Sequence, residues 1–142
     1  ECEAAHPDAI QEEWVQSQPD IEYVGHEADI TSFLHRADLL LYPSSYREGV
    51  PRIVMEAAAT GLPTVAFDVP GVREAIQHGI SGRLVPQSDL DAMTVAVNDI
   101  LSSKELKLSL GNAARQLAEQ SFDVRSVQRQ YLDVYKQLGI AI

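Results

Sequence analysis

Two glutamates separated by seven residues are the side chains best suited to chemistry in this chain. Glu48 lies in a polar loop, and Glu56 lies about a turn and a half into the helix that the sequence predicts from Pro51. The first N–H groups of a helix have no intrahelical acceptor and therefore favour an anion. The two carboxylates flank this helix start and can accept hydrogen bonds from hydroxyl groups. A ligand that carries both negative charge and hydroxyls would suit the arrangement.

The central helix has a start signal at one end and stop signals at the other. Pro51 suits the first helical position, where a missing N–H costs nothing, while Gly61 and then Pro63 supply a left-handed cap and a stop. Apolar runs at 39–42 and 64–67 are short enough to be buried strands, and the consecutive leucines of the first run predict a strand covered on both faces. The segment therefore predicts a strand, a polar loop, a helix and a strand.

The patterns on either side of this segment predict further elements. Upstream they predict a helix over 7–17 anchored by Trp14, a strand over 21–24, and a helix from Asp29 to about Arg36 with His35 facing solvent. Downstream they predict a turn over 68–71, a short helix to about Ile76 and a strand over 83–85.

Residues 88–142 change to a helical period and predict a helical tail. Ser88 with Asp91 is a variant of the capping box for the first helix, and Asp123 is the predicted N-cap of the third. Gly111 weakens the second helix without breaking it. The predicted apolar stripes of the three helices are Leu90, Met93, Val97, Ile100 and Leu101; Leu106, Leu110, Ala113, Ala114 and Leu117; and Val127, Tyr131, Val134, Tyr135 and Leu138.

Strands that alternate with helices predict an α/β fold, a parallel, doubly wound sheet with helices on both faces and right-handed crossovers. Ligands of such sheets bind at the carboxyl ends of the strands. His26, the loop over 43–50 and the turn over 68–71 would all lie at that edge. His26 is therefore a candidate for the site, and it is equally well explained as a loop histidine with no role.

The composition narrows the class of protein. At 142 residues the chain suits one domain, and 21 acidic against 11 basic side chains give a formal charge of −10, which argues against binding to nucleic acid or to an anionic bilayer. The single cysteine, Cys2, fits a reducing cytoplasm, and no apolar run approaches the roughly 20 residues that span a membrane. A start at Glu1 suggests a piece of a longer protein.

An ordered series of motifs resembles the carboxyl half of glycosyltransferase family 4, retaining enzymes of the B-type fold in which two Rossmann-like domains face each other across a cleft. The Glu48 and Glu56 pair matches the family's Glu-x7-Glu signature, and the form from Tyr46 to Arg52 resembles a subgroup that adds sugars to lipid-linked acceptors in bacterial surface-polysaccharide assembly. The series is Pro43-Ser44, Glu48-Gly49, Glu56-Ala57, Gly61-Leu62-Pro63, Pro70-Gly71 with Glu74, and Gly82 to Val85.

The resemblance implies a role for each site residue. Glu56 would accept hydrogen bonds from the ribose of a nucleotide diphospho-sugar, uridine-linked, and Glu48 would face the donor sugar near the reacting centre. The backbone at Gly49, Val50, Arg52 and Ile53 would meet the sugar and the diphosphate, with no metal and no cofactor. Many members carry glycine where this chain has Pro51, which removes one N–H contact. The Arg52 and Arg47 side chains would either assist the phosphates or be surface charges.

The resemblance also implies that parts of the enzyme are absent from this chain. The family's domain begins with two further strands and a basic Arg and Lys pair that grips the diphosphate, and a separate amino-terminal domain binds the acceptor. Residues 1–142 would then be a partial donor-binding domain, incomplete at its amino-terminal end and inactive alone. The sheet gap would be closed by the 21–24 strand moving beside the 39–42 strand or by self-association of exposed edges.

The expected parent protein is a hexosyltransferase in the cytoplasm, peripheral to the inner face of the membrane, that uses a carbohydrate or lipid-linked acceptor. Two alternatives remain open. The chain would otherwise be a non-catalytic nucleotide-sugar-binding or interaction module, or a sugar-nucleotide epimerase of the same fold.

Overall fold

The computed structural model describes residues 10–46 and 48–140, which divide at Ile30 into two units. The first unit contains one short helix, α1 (Glu12–Gln16), in place of the helix predicted over 7–17, and residues 7–9 lie outside the described part. Trp14 is exposed and does not anchor it. The prediction of a strand over 21–24 is wrong, because this stretch is irregular in the structure. A strand needs a partner for its backbone hydrogen bonds.

The second unit has the predicted α/β architecture, a three-stranded parallel sheet in the order β1-β2-β3 with connecting helices and a helical tail. Its elements are α2 (Thr31–Arg36), β1 (Leu40–Tyr42), α3 (Arg52–Ala59), β2 (Thr64–Phe67), α4 (Val72–Ala75), β3 (Gly82–Val85), α5 (Leu90–Ser102), α6 (Lys104–Ser121) and α7 (Val124–Gln137). No strand from residues 10–30 joins this sheet, so the predicted closure of the gap by the 21–24 strand is also wrong.

The middle strand of the sheet, β2, is buried along its whole length and holds the centre of the core. β1 lies at the end of the strand order, where Leu40 and Tyr42 pack against the core and Leu41 is 47% exposed. The prediction that β1 is covered on both faces is therefore wrong for Leu41. Consecutive side chains of a strand point to opposite faces, and the described residues bury only one face of β1.

The ends of α3 follow the sequence closely. Pro51 is the N-cap, one residue before the predicted position, because its ψ of 127° is extended while its φ of −63° already suits a helix. At the other end Gly61 has φ +74°, the predicted left-handed conformation. The Leu62 N–H donates to the Ala57 carbonyl at 2.9 Å and the Gly61 N–H donates to the Ala58 carbonyl at 3.0 Å, which completes a Schellman motif.

Small residues allow α6 to approach α3 closely. A Cβ atom at Gly111 would overlap the carbonyl oxygen of Gly61, so the glycine that weakens α6 is required by its packing. Ala58 of α3 and Ala114 and Ala118 of α6 form a buried cluster beside it. Such contacts tolerate no added volume, because protein interiors are close-packed.

The starts of the tail helices differ from the predictions in one case. α5 begins after Asp89, whose carboxylate accepts a hydrogen bond from the Ala92 N–H at 2.9 Å. Ser88 does not cap it and has a φ of +65°. The prediction for α7 is confirmed, since the Asp123 carboxylate accepts from the Arg125 N–H at 2.8 Å.

The apolar stripes of the tail are buried to different extents. Met93, Ile100 and Leu110 belong to the core as predicted, whereas Leu90 and Leu101 are exposed. None of the described residues of α7 is buried. None of the helices in residues 10–46 and 48–140 combines the length and the apolar character that crossing a bilayer requires.

We predict that the α7 cap loses its contribution to stability in acid. Hydrogen bonds from the Arg125 side chain and backbone lower the pKa of Asp123 from 3.8 to about 2. A carboxylate whose pKa is lower in the folded state stabilises that state above its unfolded pKa, and the contribution disappears as pH falls from about 4 to about 2.

Urea denaturation at several pH values checks this prediction by comparing the wild type with Asp123→Asn. Asparagine keeps a capping oxygen but does not titrate. The free energy difference between the two proteins should shrink as the pH falls through that window. A constant difference would contradict the prediction.

Candidate functional site

Glu56 projects from α3 and is half-buried. Its Oε1 accepts a hydrogen bond from the Nε of Arg52, one turn earlier, at 2.7 Å. The Arg52 side chain is 88% exposed and that of Glu56 is 34% exposed, so the carboxylate is the more buried partner of the pair. Within the described residues Oε2 has no hydrogen-bond partner, so Glu56 retains capacity to accept from a ligand.

Glu56 lines a cleft of about 340 Å³ between α3 and the end of α6. One wall is a single face of α3, and the other is formed by α6 and the two residues before α7. The lining residues are Arg52, Met55, Glu56 and Ala59 on the first wall, and Arg115, Ala118, Glu119, Phe122 and Asp123 on the second. A volume of this size, with apolar side chains and a few charged groups, is typical of a small-molecule site.

Arg115 connects the two walls of the cleft. Its Nη1 donates to the Ala59 carbonyl, one of the last in α3, and its Nε donates to the Glu119 carboxylate at 2.7 Å. The Ala59 carbonyl lies in the last turn of α3 and has no N–H donor within its own helix, so Arg115 supplies the missing hydrogen bond. Arg115 could not be predicted as a site residue, because only its spacing to Glu119 is local and Ala59 lies 56 residues away.

Glu48 has a different setting from Glu56. It lies in the exposed loop before α3, and its Oε1 accepts a hydrogen bond from the Tyr42 hydroxyl at 2.9 Å. It is not among the residues that line the cleft. Burial raises the pKa of Tyr42, a hydrogen bond with Ser44 opposes this, and the neighbouring Glu48 carboxylate raises the pKa further, so the phenol stays a proton donor to Glu48.

Gly71 supports the loop that carries Glu48. It is buried with φ +90°, and a Cβ atom there would overlap the carbonyl oxygens of Glu48 and Gly49. The Gly71 N–H donates to the Glu74 carboxylate at 2.6 Å, which fixes the turn. Gly71 and Glu74 form a motif in the sequence, but the contact of Gly71 with the Glu48 loop could not be predicted, because it joins two loops that are separate in the chain.

The predicted backbone contacts lie at the start of α3. Val50 and Ile53 pack their side chains against the core. The N–H groups of Arg52 and Ile53 have no intrahelical acceptor, and Pro51 provides no side-chain cap. A Cβ atom at Gly49 would meet no described atom within 4 Å, so the fold itself does not require glycine there.

Two predicted residues are not tested by this geometry. His26 is exposed in the first unit, and Arg47 lies outside the described residues. Both therefore remain predictions. Within residues 10–46 and 48–140 no group of three or more His, Cys, Asp or Glu side chains is arranged to hold a metal ion.

Comparison with known proteins decides the family. The family model for glycosyl transferases group 1 matches residues 15–117, which include α3, the Glu48 loop and most of α6. The chain belongs to this family. Its structural neighbours are glycosyltransferases of the B-type, Rossmann-like fold, as the resemblance of the motifs implied.

Three relatives of this glycosyl transferases group 1 domain illustrate the range of the family. This chain is 31% identical over 119 residues to the exopolysaccharide phosphotransferase SCO2592 of Streptomyces coelicolor. The match covers 83% of this chain and 12% of the relative. The chain is 30% identical over 118 residues to N,N'-diacetylbacillosaminyl-diphospho-undecaprenol alpha-1,3-N-acetylgalactosaminyltransferase of Campylobacter jejuni, covering 83% of this chain and 31% of the relative.

The third is a solved structure, Alr3699/HepE of Anabaena in complex with UDP, with a TM-score of 0.76 and 25% identity over 80% of this chain and 31% of the other. The same protein has also been solved in complex with UDP-glucose. The chain thus spans about a third or less of the length of these relatives.

We predict that Gly71 and Gly49 respond differently to alanine. Gly71→Ala should lower the free energy of unfolding by about 2 kcal/mol or more, because it forces a left-handed alanine into the Glu48 loop. Gly49→Ala should change it by less than about 0.5 kcal/mol, because its Cβ atom enters open space. Chemical denaturation of both variants measures the difference. Equal effects would show that Gly71 does not support the loop.

Proposed function

We propose that this chain is the donor-binding part of a retaining glycosyltransferase of family 4 that uses a nucleotide diphospho-sugar, uridine-linked. The observation that carries the proposal is Glu56, a half-buried carboxylate with an unpaired oxygen in a cleft of small-molecule size. The complexes of Alr3699/HepE with UDP and UDP-glucose support the choice of donor. Residues 1–142 are then a partial carboxyl-terminal domain, with 88–142 as its helical tail.

In this proposal Glu56 accepts hydrogen bonds from the ribose hydroxyls. Its Oε2 is available at once, and Oε1 becomes available when the exposed Arg52 side chain turns away. Arg52 is then free to meet the diphosphate, which would strengthen the binding of the same ligand. Arg52 thus holds the Glu56 carboxylate before the nucleotide sugar binds and supplies positive charge to the diphosphate afterwards.

The diphosphate would bind at the start of α3. The N–H groups of Arg52 and Ile53 and the helix dipole favour negative charge there, so no metal or cofactor is required. Gly49 and Val50 would let the backbone approach the donor sugar. The same groups would stabilise the diphosphate as it leaves, because preorganised donors act most strongly where charge develops.

Glu48 would face the donor sugar near the reacting centre. The Tyr42 hydroxyl fixes one carboxylate oxygen of Glu48, which orients an otherwise exposed loop side chain. Orientation of this kind keeps the charge of Glu48 in one place relative to the sugar. Transfer of a hexosyl unit with retention then relies on electrostatic stabilisation.

The rest of the enzyme is proposed from the relatives. The acceptor, a carbohydrate or a lipid-linked sugar, would bind to an amino-terminal domain, in a cytoplasmic protein peripheral to the inner face of the membrane. The Campylobacter jejuni relative, whose name specifies a diphospho-undecaprenol-linked sugar, supports a lipid-linked acceptor. The Streptomyces coelicolor relative, whose name specifies exopolysaccharide, supports a role in the assembly of surface polysaccharides. His26 stays a donor-binding candidate from the sequence alone.

We predict that Glu56→Gln weakens nucleotide binding at least about tenfold, because a hydrogen bond to a charged group contributes about 1.5–3 kcal/mol. Isothermal titration of the 142-residue chain with UDP and with UDP-glucose measures the affinity. Glu105→Gln, on the exposed first turn of α6, is the matched control and should leave the affinity unchanged.

Two outcomes would contradict this prediction. If Glu56→Gln binds UDP as tightly as the wild type does, Glu56 does not hold the ribose. If the folded wild type binds neither ligand, the chain is not a donor site, and a non-catalytic interaction module becomes the better proposal.

We also predict that the 142-residue chain does not turn over a nucleotide sugar, because the resemblance places the basic grip on the diphosphate and the acceptor site in other parts of the enzyme. Incubation with UDP-glucose and detection of free UDP measure turnover. Release of UDP above the rate of the Glu48→Gln variant would contradict this.

A further inference from the structure

Two hydroxyl groups lie between the sheet and the loop that carries Glu48. They belong to Tyr42, the last residue of β1, and to Ser44, two positions later. Both side chains are half-buried, whereas Glu48 is exposed. The Tyr42 ring packs against the core, so its hydroxyl lies on a fixed support.

Hydrogen bonds join these groups into one continuous series. The Tyr46 N–H donates to the Ser44 Oγ at 3.3 Å. The Ser44 side chain hydrogen-bonds to the Tyr42 hydroxyl, which donates to the Glu48 Oε1 at 2.9 Å. We call this series the loop network. It consists of the Tyr46 N–H, the two hydroxyls and the Glu48 carboxylate.

The direction of each hydrogen bond in the loop network follows from the number of hydrogens. An ionised carboxylate can only accept, so Tyr42 gives its single hydroxyl hydrogen to Glu48. The Tyr42 oxygen is then an acceptor only, and Ser44 must donate to it. Burial raises the pKa of Tyr42 while the Ser44 hydrogen bond lowers it, as a donor to the phenol oxygen does. Hydrogen bonds that all point the same way polarise and strengthen one another.

The loop network fixes an exposed side chain to the sheet. Tyr42 is held by its ring in the core and by the pairing of β1 with β2 at Ala66. The backbone of Glu48 is held separately, because its carbonyl oxygen lies against Gly71. Both ends of Glu48 are therefore placed by the fold before any ligand binds.

The loop network leaves one oxygen of Glu48 open. Within residues 10–46 and 48–140, no hydrogen-bond donor reaches Oε2, whereas Oε1 is taken by Tyr42. A carboxylate held in this way accepts a hydroxyl hydrogen from one direction. A nucleotide sugar offers such hydroxyls on its sugar, and UDP alone offers none beyond its diphosphate.

We infer that Tyr42 and Ser44 are positioning residues for the donor sugar, which act through Glu48 by aiming its open oxygen at a sugar hydroxyl. The inference rests on the proposed function, in which Glu48 faces the sugar. It assigns part of the discrimination between a nucleotide sugar and its free nucleotide to two hydroxyls outside the Glu48 and Glu56 pair. A carboxylate fixed in advance does not have to be ordered by the ligand, which favours binding.

Isothermal titration with UDP and with UDP-glucose tests the inference through the ratio of the two affinities. Tyr42→Phe keeps the ring and removes the hydroxyl. It should lower the affinity of the 142-residue chain for UDP-glucose relative to UDP at least about threefold, because the ligand must then order Glu48. Tyr131→Phe is the matched control, since Tyr131 is 63% exposed on α7, and it should leave the ratio unchanged.

Ser44→Ala tests the second hydroxyl without touching the Tyr42 ring. We expect the ratio to fall in the same direction but less than in Tyr42→Phe, because Tyr42 still reaches Glu48 without its own donor. Ser45→Ala, at the exposed neighbouring position of the same loop, is the matched control and should not change the ratio. Equal ratios in the two serine variants would overturn the role of Ser44.

Glu48→Ala shows whether Tyr42 acts through the carboxylate. In a chain that lacks the Glu48 carboxylate, Tyr42→Phe should have no further effect on the ratio, since coupled residues are not additive. The same effect of Tyr42→Phe with and without Glu48 would make the hydroxyl merely structural and would overturn the inference.

The two ligands separate this inference from the proposed function. If the wild type binds neither UDP nor UDP-glucose, the proposed function fails and the inference fails with it. If the wild type binds UDP and Tyr42→Phe leaves the ratio unchanged, the inference alone is overturned. Circular dichroism of each variant checks that the fold is intact.

Discussion

The close approach of α6 to the end of α3 is the packing on which the candidate site depends. Gly111 and Gly61 meet backbone to backbone, and a cluster of alanines continues the contact along both helices. Because no large side chain separates the helices there, Arg115 can reach the Ala59 carbonyl and hold the end of α3. The cleft opens beside this contact, where Met55 and Phe122 replace the small residues. Glu56 lies on the α3 wall of this cleft, one turn after Arg52.

The two glutamates of the signature are held in position by different kinds of contact. Glu56 is placed by a helix whose two ends are fixed by Pro51 and by the left-handed Gly61. Glu48 lies in a loop, and its position depends on two tertiary contacts, the Tyr42 hydroxyl and the backbone of Gly71. Both proposed roles require a carboxylate that is held in place, and the chain achieves this with a capped helix for Glu56 and with tertiary contacts for Glu48.

The apolar surface of this chain is distributed unevenly between its elements. β2 and the inner faces of α5 and α6 are buried, whereas none of the described residues of α7 is buried and only Val127 on its apolar side is half-buried. α7 nevertheless begins with a satisfied cap at Asp123 and carries polar residues on its other side. A helix that is well capped and amphipathic but unburied is built to pack against something.

The sequence by itself determined the alternation of strands and helices, the limits of α3, the cap of α7 and the family's pair of glutamates. These depend on local rules, such as the conformational freedom of Gly61 or the hydrogen bond that Asp123 accepts, which act within a few residues. The tertiary structure decided the features that depend on residues distant in the chain or on packing. It left residues 21–24 without a strand because no partner pairs with them, exposed Leu41 at the end of the sheet, and moved the α5 cap from Ser88 to Asp89.

The tertiary structure also supplied the residues around the two glutamates. Gly71 and Arg115 hold the site through contacts between segments that are distant in the chain, and Tyr42 holds Glu48 from six residues away. Gly111 is glycine because another backbone lies against it. Periodicity and composition carry no information about which segments meet in space. The chemistry of the site was therefore readable from residue types, and its geometry was decided by packing.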